Sequence, residues 1–165
     1  MNIHSFQPII DKKSRVLILG TVPGPVAFKT RQFYGFKGNH FWPIMVSLFA
    51  PEGPKAPELA YAQKVRLVLD HQVAIWDVVK SCRRVGSSDS AMTNIVPTDI
   101  PGLLREHRGI QAVFLNGKSA EQLYRKFSAD RVTIPSFGLP STSPANASIG
   151  FQEKLKKWSV ITKFL

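Results

Sequence analysis

The sequence predicts a three-layer α/β/α fold around a central, mostly parallel four-stranded sheet. Short apolar runs rich in β-branched or aromatic residues recur along the chain and stop at a glycine or a polar residue. Segments with apolar residues at helical spacing lie between them, the alternation expected of parallel strands joined by helices. Polar residues then gather just beyond the strand ends, where open parallel sheets bind ligands. With 165 residues, no internal repeat and no low-complexity tract, the chain is read as one domain over 1–165.

The first strand is Arg15–Gly20, apolar from Val16 to Leu19. A helix over His40–Phe49 follows, with Asn39 placed to cap it and Pro43 tolerated in its first turn. The spacing of Leu59, Ala62, Val65 and Leu69 predicts a helix over Ala56–Asp70. Val73–Val79 and Gln111–Gly117 read as the second and third strands, and Arg131–Pro135 as the fourth. Between the last two, Ala120, Leu123, Tyr124 and Phe127 define one face of a helix over Lys118–Phe127. Ser148 is placed to cap a final helix burying Phe151, Leu155, Trp158 and Ile161, and Pro51–Pro57 reads as a surface loop.

Composition narrows the function. Lys and Arg total 22 against 11 Asp and Glu, a formal charge of +11. Solubility alone needs a magnitude of only about 2–8 in a small domain, so the excess points to a polyanion, nucleic acid first. No apolar run approaches the length of a membrane span, and the first residues lack a signal-peptide core. The single Cys82 forms no internal disulfide, and four histidines without clustered ligands predict no metal site and no cofactor. A cytoplasmic monomer is the expectation.

Two segments carry unusual chemistry. Gly20-Thr-Val-Pro-Gly24 is a strand-end turn that presents backbone N–H groups, and its spacing matches neither a P-loop nor a dinucleotide fingerprint. The following stretch packs Phe33, Tyr34, Phe36, Phe41 and Trp42 into ten residues interleaved with Arg31 and Lys37. That mixture suits base stacking in a basic cleft. Phe41 and Trp42 read better as core anchors of the next helix, and Tyr34 as the functional ring.

Four blocks in order then resemble one family. They are L-I-L-G-T-V-P-G with Q-F-Y-G-F-K-G-N-H-F-W, V-A-I-W-D-V-V with the downstream Cys82, Arg84 and G-S-S-D, V-F-L-N-G-K-S-A, and L-P-S-T-S-P-A-N. Together they run from about Val16 to Ser148. The chain is similar to the uracil-DNA glycosylase superfamily. Within it the blocks resemble the hypoxanthine-DNA (deoxyinosine) glycosylases and, more distantly, the mismatch-specific uracil/thymine enzymes.

The resemblance implies a DNA repair enzyme that flips a deaminated base out of DNA and hydrolyses its glycosidic bond, hypoxanthine first and uracil second. It implies a catalytic, water-positioning role for Asn39. Tyr34 falls where the superfamily stacks an aromatic ring on the base. Thr21, Val22, Pro23, Gly24, Asp77 and Asn116 fall around the base's polar edge, with helix capping as the other reading of Asn116. Ser141, Thr142 and Ser143 match a loop that grips the DNA backbone, where Lys118, Arg83 and Arg84 are further candidates, and Ala145 and Asn146 take the wedge position. The chain departs from the pattern twice: Val22 replaces the asparagine of G-I-N-P-G, and Leu139 replaces the usual histidine. A catalytically inactive nucleic-acid-binding domain of the same fold is the alternative. A small-molecule α/β hydrolase fits less well, since no G-x-S-x-G elbow is present.

Overall fold

Val16–Gly20 (β2) is buried at every position, as a strand covered on both faces must be. A computed structural model describes all 165 residues and places β2 inside a four-stranded parallel sheet. The other strands are Val73–Asp77 (β3), Ala112–Asn116 (β6) and Ser136–Leu139 (β7), in the order β3-β2-β6-β7. The chain leaves β2 to one side for β3 and returns to its other side for β6. The crevice at the carboxyl ends of these strands is therefore a topological switch point.

Alternation along the strands divides the core between two layers. Val16, Ile18, Val73, Ile75, Ala112 and Phe114 face helices Phe41–Phe49 (α2), Tyr61–Asp70 (α3) and Phe151–Trp158 (α6), meeting Phe41, Ile44, Met45, Val68 and Trp158. Leu17, Leu19, Ala74, Val113 and Leu115 face the opposite way, toward Ile100 of Ile100–Glu106 (α4) and Ala120 and Tyr124 of Lys118–Phe127 (α5). Burying each large apolar side chain contributes about 1.5–3 kcal/mol, so the two layers are the main favourable term of the fold. The expected three layers are present.

A second sheet stands beside the first. Asn2–His4 (β1), Val79–Arg84 (β4) and Met92–Pro97 (β5) form an antiparallel sheet in the order β1-β4-β5. The expected single strand Val73–Val79 is thus two strands. Val78 N–H still bonds to the Gly20 carbonyl at 2.9 Å, and beyond it the chain turns into β4. A short helix, Pro25–Thr30 (α1), with Gly24 at its N-cap, follows the strand-end turn.

Other boundaries move for local reasons. The fourth strand is Ser136–Leu139 rather than Arg131–Pro135, because Ala129–Arg131 is a 3₁₀ turn and pairing with β6 starts beyond Pro135. Its first three residues are exposed, so hydrophobicity does not mark it. Ala56–Glu58 is a separate 3₁₀ turn, and α3 begins only at Tyr61, where Gln63 Oε1 accepts the Ala60 N–H at 2.8 Å. The last helix starts at Phe151 with Gly150, not Ser148, at its N-cap.

Candidate active site

A cleft of about 900 Å³ opens at the carboxyl ends of β2, β3 and β6, a volume suited to a small ligand. Thr21, Val22, Pro23 and Gly24 line it from the end of β2, Asp77 from β3 and Asn116 from β6. Tyr34 and Asn39 come from the segment before α2, and Ser141 to Asn146 from the loop after β7. Residues separated by more than a hundred positions thus share one surface. Arg83 and Lys118 are exposed and do not line the cleft, although Ser119, beside Lys118, does.

The floor forms where Gly20 lets two polar side chains close in. A Cβ at Gly20 would lie 2.8 Å from Asp77 Oδ1 and 3.0 Å from the Tyr34 hydroxyl, so any larger residue would push these side chains away. Asp77 is 3% exposed; its Oδ2 accepts a 2.7 Å hydrogen bond from Ser5 Oγ, while Oδ1 meets no donor of the protein. Burial pushes the Asp77 carboxyl from 3.8 up to about 7; the Ser5 bond opposes the rise and the Asp89 charge adds to it.

Tyr34 stacks on Phe41, with ring centroids 3.9 Å apart and an angle of 20°. One face of the ring is therefore spent on the core, leaving only the other for a ligand. Its backbone is left-handed (φ 55°), which is uncommon for a tyrosine and clusters at functional sites. The hydroxyl is buried without a hydrogen-bond partner. Burial and the Asp77 charge hold the phenol well above its ordinary value; Asn116 opposes the shift from nearby, but its amide is committed elsewhere.

That commitment is to Thr142. Asn116 Nδ2 donates to Thr142 Oγ1 and Asn116 Oδ1 accepts from Thr142 N–H, both at 2.9 Å. Helix α5 is capped by Gly117 (φ 93°) with no side-chain bond, so Asn116 does not cap it. Thr142 is fully buried and its carbonyl accepts from His40 N–H at 3.0 Å. The expected backbone-gripping role does not fit a side chain so enclosed; Thr142 anchors the loop instead. Trp158 Nε1 adds a 2.9 Å bond to the Pro140 carbonyl.

Asn39 sits where this loop meets α2. Its Oδ1 accepts the Phe41 N–H at 2.9 Å, the capping bond expected of it, although His40 occupies the formal N-cap position. The bond fixes the amide plane and leaves the second oxygen lone pair and Nδ2 for a ligand.

Two further expectations are corrected. Arg84 is buried, not displayed to a phosphate: Nη2 donates to the Pro23 carbonyl at 2.7 Å and Nη1 lies 3.6 Å from Asp89 Oδ1. Thr21 Oγ1 donates to Asp89 Oδ2 at 2.9 Å, so Arg84 and Asp89 together hold the turn after β2. Asn146 is not free to act as a wedge, because Nδ2 bonds to the Ser141 carbonyl and Oδ1 accepts from Ser148. Ala145 beside it is exposed but small. In the turn after β2, the N–H groups of Thr21, Val22 and Gly24 make no hydrogen bond within the protein. Ser5 and Phe6 join the site from the N-terminal segment, and no local pattern announces them.

No group of three or more His, Cys, Asp or Glu could hold a metal ion, and no helix is long and apolar enough to cross a membrane.

Fold and cleft together define an α/β protein with a cleft at a strand-end switch point, lined by an aromatic ring, a buried carboxyl and free backbone N–H groups. The profile of the Uracil DNA glycosylase superfamily matches residues 7–162, and the chain belongs to that superfamily, as a DNA N-glycosylase acting on DNA. It is 26% identical over 161 residues to a protein of Methanosarcina barkeri named hypoxanthine DNA glycosylase, covering 95% of this chain and all of the relative. A Methanosarcina acetivorans protein of the same name is 28% identical over 136 residues, 81% of this chain and 84% of the relative. The fold also matches a solution NMR structure of a Methanosarcina acetivorans protein provisionally named a uracil DNA glycosylase. The TM-score is 0.80 at 26% identity, over 99% of this chain and 98% of the other.

Proposed function

We propose that the chain excises hypoxanthine from deoxyinosine in DNA, with uracil as a second substrate, leaving an abasic site by simple hydrolysis. The observation that carries this reading is the unpartnered Oδ1 of Asp77 on the cleft floor. Ionised, that oxygen only accepts hydrogen bonds, and the ring N–H of hypoxanthine is a donor of the kind it needs. The names of the two Methanosarcina relatives support the same substrate.

The reacting bond lies inside a stacked helix, so the nucleotide first rotates out into the cleft at a cost of a few kcal/mol. The free face of Tyr34 then stacks on the base. As the C1′–N bond breaks, its electron pair leaves with the base, and the free N–H groups of Thr21, Val22 and Gly24 stabilise the developing negative charge. Asn39, its amide plane fixed by Phe41, uses the remaining lone pair of Oδ1 to orient the water whose oxygen bonds to C1′. The proton released goes to the departing base or to solvent. No lysine lines the cleft, which favours hydrolysis over an imine intermediate. Ser141, Ser143 and the exposed Lys118 and Arg83 are the proposed contacts to the DNA backbone.

The test uses labelled oligonucleotides with one deoxyinosine or one deoxyuridine, single- and double-stranded, cleaved by alkali at abasic sites. Cleavage at deoxyinosine is expected to exceed that at deoxyuridine. Cleavage at deoxyuridine alone would overturn the substrate and keep the superfamily.

A further inference from the structure

The polar groups of the cleft leave one large side chain at its mouth without a task. Phe36 lines the rim and is 48% exposed. A lone exposed phenylalanine is ordinary on a protein surface, so its attachment matters more than its exposure. Phe36 and Asn39 are the two ends of one tight turn, closed by a 2.9 Å bond from Asn39 N–H to the Phe36 carbonyl. The ring folds over Gly38 so closely that a Cβ there would lie 2.7 Å from Phe36 Cε1. It is thus propped beside Asn39 at a fixed offset.

The loop after β7, which meets the same turn through His40, offers no comparable group. Pro144 and Ala145 are exposed but small, and Asn146 is tied into its own loop. Arg31 and Lys37 flank Phe36, both exposed and neither in an ion pair, which suits a duplex running past this edge. A rotated-out nucleotide leaves a gap walled by the faces of two neighbouring bases, and an apolar or aromatic side chain fills such a gap well.

We propose that Phe36, rather than a residue of the loop after β7, enters the DNA stack where the nucleotide leaves it and stacks on the flanking base. This rests on the reading that the chain acts on a base rotated out of DNA, and it does not depend on which base. The turn that sets the position of Asn39 then also sets the depth to which the gap-filling ring reaches. Phe36 acts by holding the opened duplex, so its loss harms double-stranded substrates more than single-stranded ones.

Two measurements test it. Phe36→Trp is titrated with a duplex carrying a stable abasic-site analogue, and tryptophan fluorescence is followed alongside binding by anisotropy. The native Trp42 and Trp158 are buried, and Trp76 is bonded to the Phe6 carbonyl, so the new indole reports on the rim. Quenching beyond that of the unsubstituted protein, and stronger than with intact duplex, is expected. Binding without extra quenching, or no binding, would overturn the proposal. In single-turnover excision, Phe36→Ala should lose about tenfold on duplex and under about threefold on single strands, with Phe36→Leu recovering most of the loss. Equal loss on both substrates, or none on duplex, would overturn it. The fluorescence does not require excision, so quenching without deoxyinosine cleavage would leave this proposal standing and remove the substrate assignment.

Discussion

Asn116 and Thr142, on two different elements of the strand-end face, close a ring of two 2.9 Å hydrogen bonds using both ends of the Asn116 amide. The same threonine passes the constraint on, because its carbonyl receives the N–H of His40, the neighbour of Asn39. Position is thus transmitted from β6, through the loop after β7, to the residue proposed to orient water.

Asn116→Ala should therefore act on stability and activity together. It strands a buried hydroxyl and a buried N–H, at a cost of about 1–3 kcal/mol. Urea denaturation should show that loss, and single-turnover excision should fall by an order of magnitude or more as the loop loosens. A variant destabilised to this extent with unaltered excision would separate the clasp from Asn39.

Arg84 and the exposed cations should separate by salt dependence. Each phosphate contact removed lowers the slope of log K against log salt by roughly 0.9. Lys118→Ala and Arg83→Ala are expected to reduce that slope with little change in melting temperature. Arg84→Ala, which leaves Asp89 and the Pro23 carbonyl without their partner, should lower stability by about 2 kcal/mol or more. A change in slope without loss of stability in Arg84→Ala would return it to the DNA surface.

The contrast between Arg83 and Arg84 also shows where the sequence is hard to read. The strands β2, β3 and β6 are legible because burial on both faces leaves nearly continuous apolar runs. The strand ends then nominate Thr21 to Gly24, Asp77 and Asn116 without further help. The antiparallel sheet hides because β4 reads V-K-S-C-R-R and β5 has no buried residue, with no apolar run to mark either. Arg84 shares the buried side of Cys82 and Arg83 faces outward, but register shifts between Val79 and Arg83 break the alternation that would announce this. Ser5 and Phe6 reach the cleft only through tertiary folding, since β1 is three residues long.

Asp77 gives a pH signature. Its carboxyl is raised from 3.8 to about 7 in the folded chain, so between these values the folded state holds a proton that the unfolded state has released. The contribution is fully favourable below pH 3.8 and is lost as pH rises through about 7. Asp77→Asn removes this dependence. The variant should gain up to a few kcal/mol over the unsubstituted protein at pH 8, and the difference should shrink toward pH 4. A difference independent of pH, read from melting temperatures across that range, would contradict a carboxyl raised by burial that ionises only above about pH 7.

Gly20→Ala probes the floor directly. The added methyl meets Asp77 Oδ1 and the Tyr34 hydroxyl, and both must move into the space proposed for the base. Excision should fall at least tenfold while the circular dichroism spectrum and DNA binding persist. Retained activity would place the base elsewhere in the cleft.

Asn39 is the residue proposed to position the water that releases hypoxanthine. Single-turnover cleavage of a deoxyinosine oligonucleotide by Asn39→Ala, beside the unsubstituted chain, tests it most directly. Measurable release by the parent is expected, with a loss of about a hundredfold or more in the variant and binding to an abasic duplex unchanged. Equal release by both would contradict it.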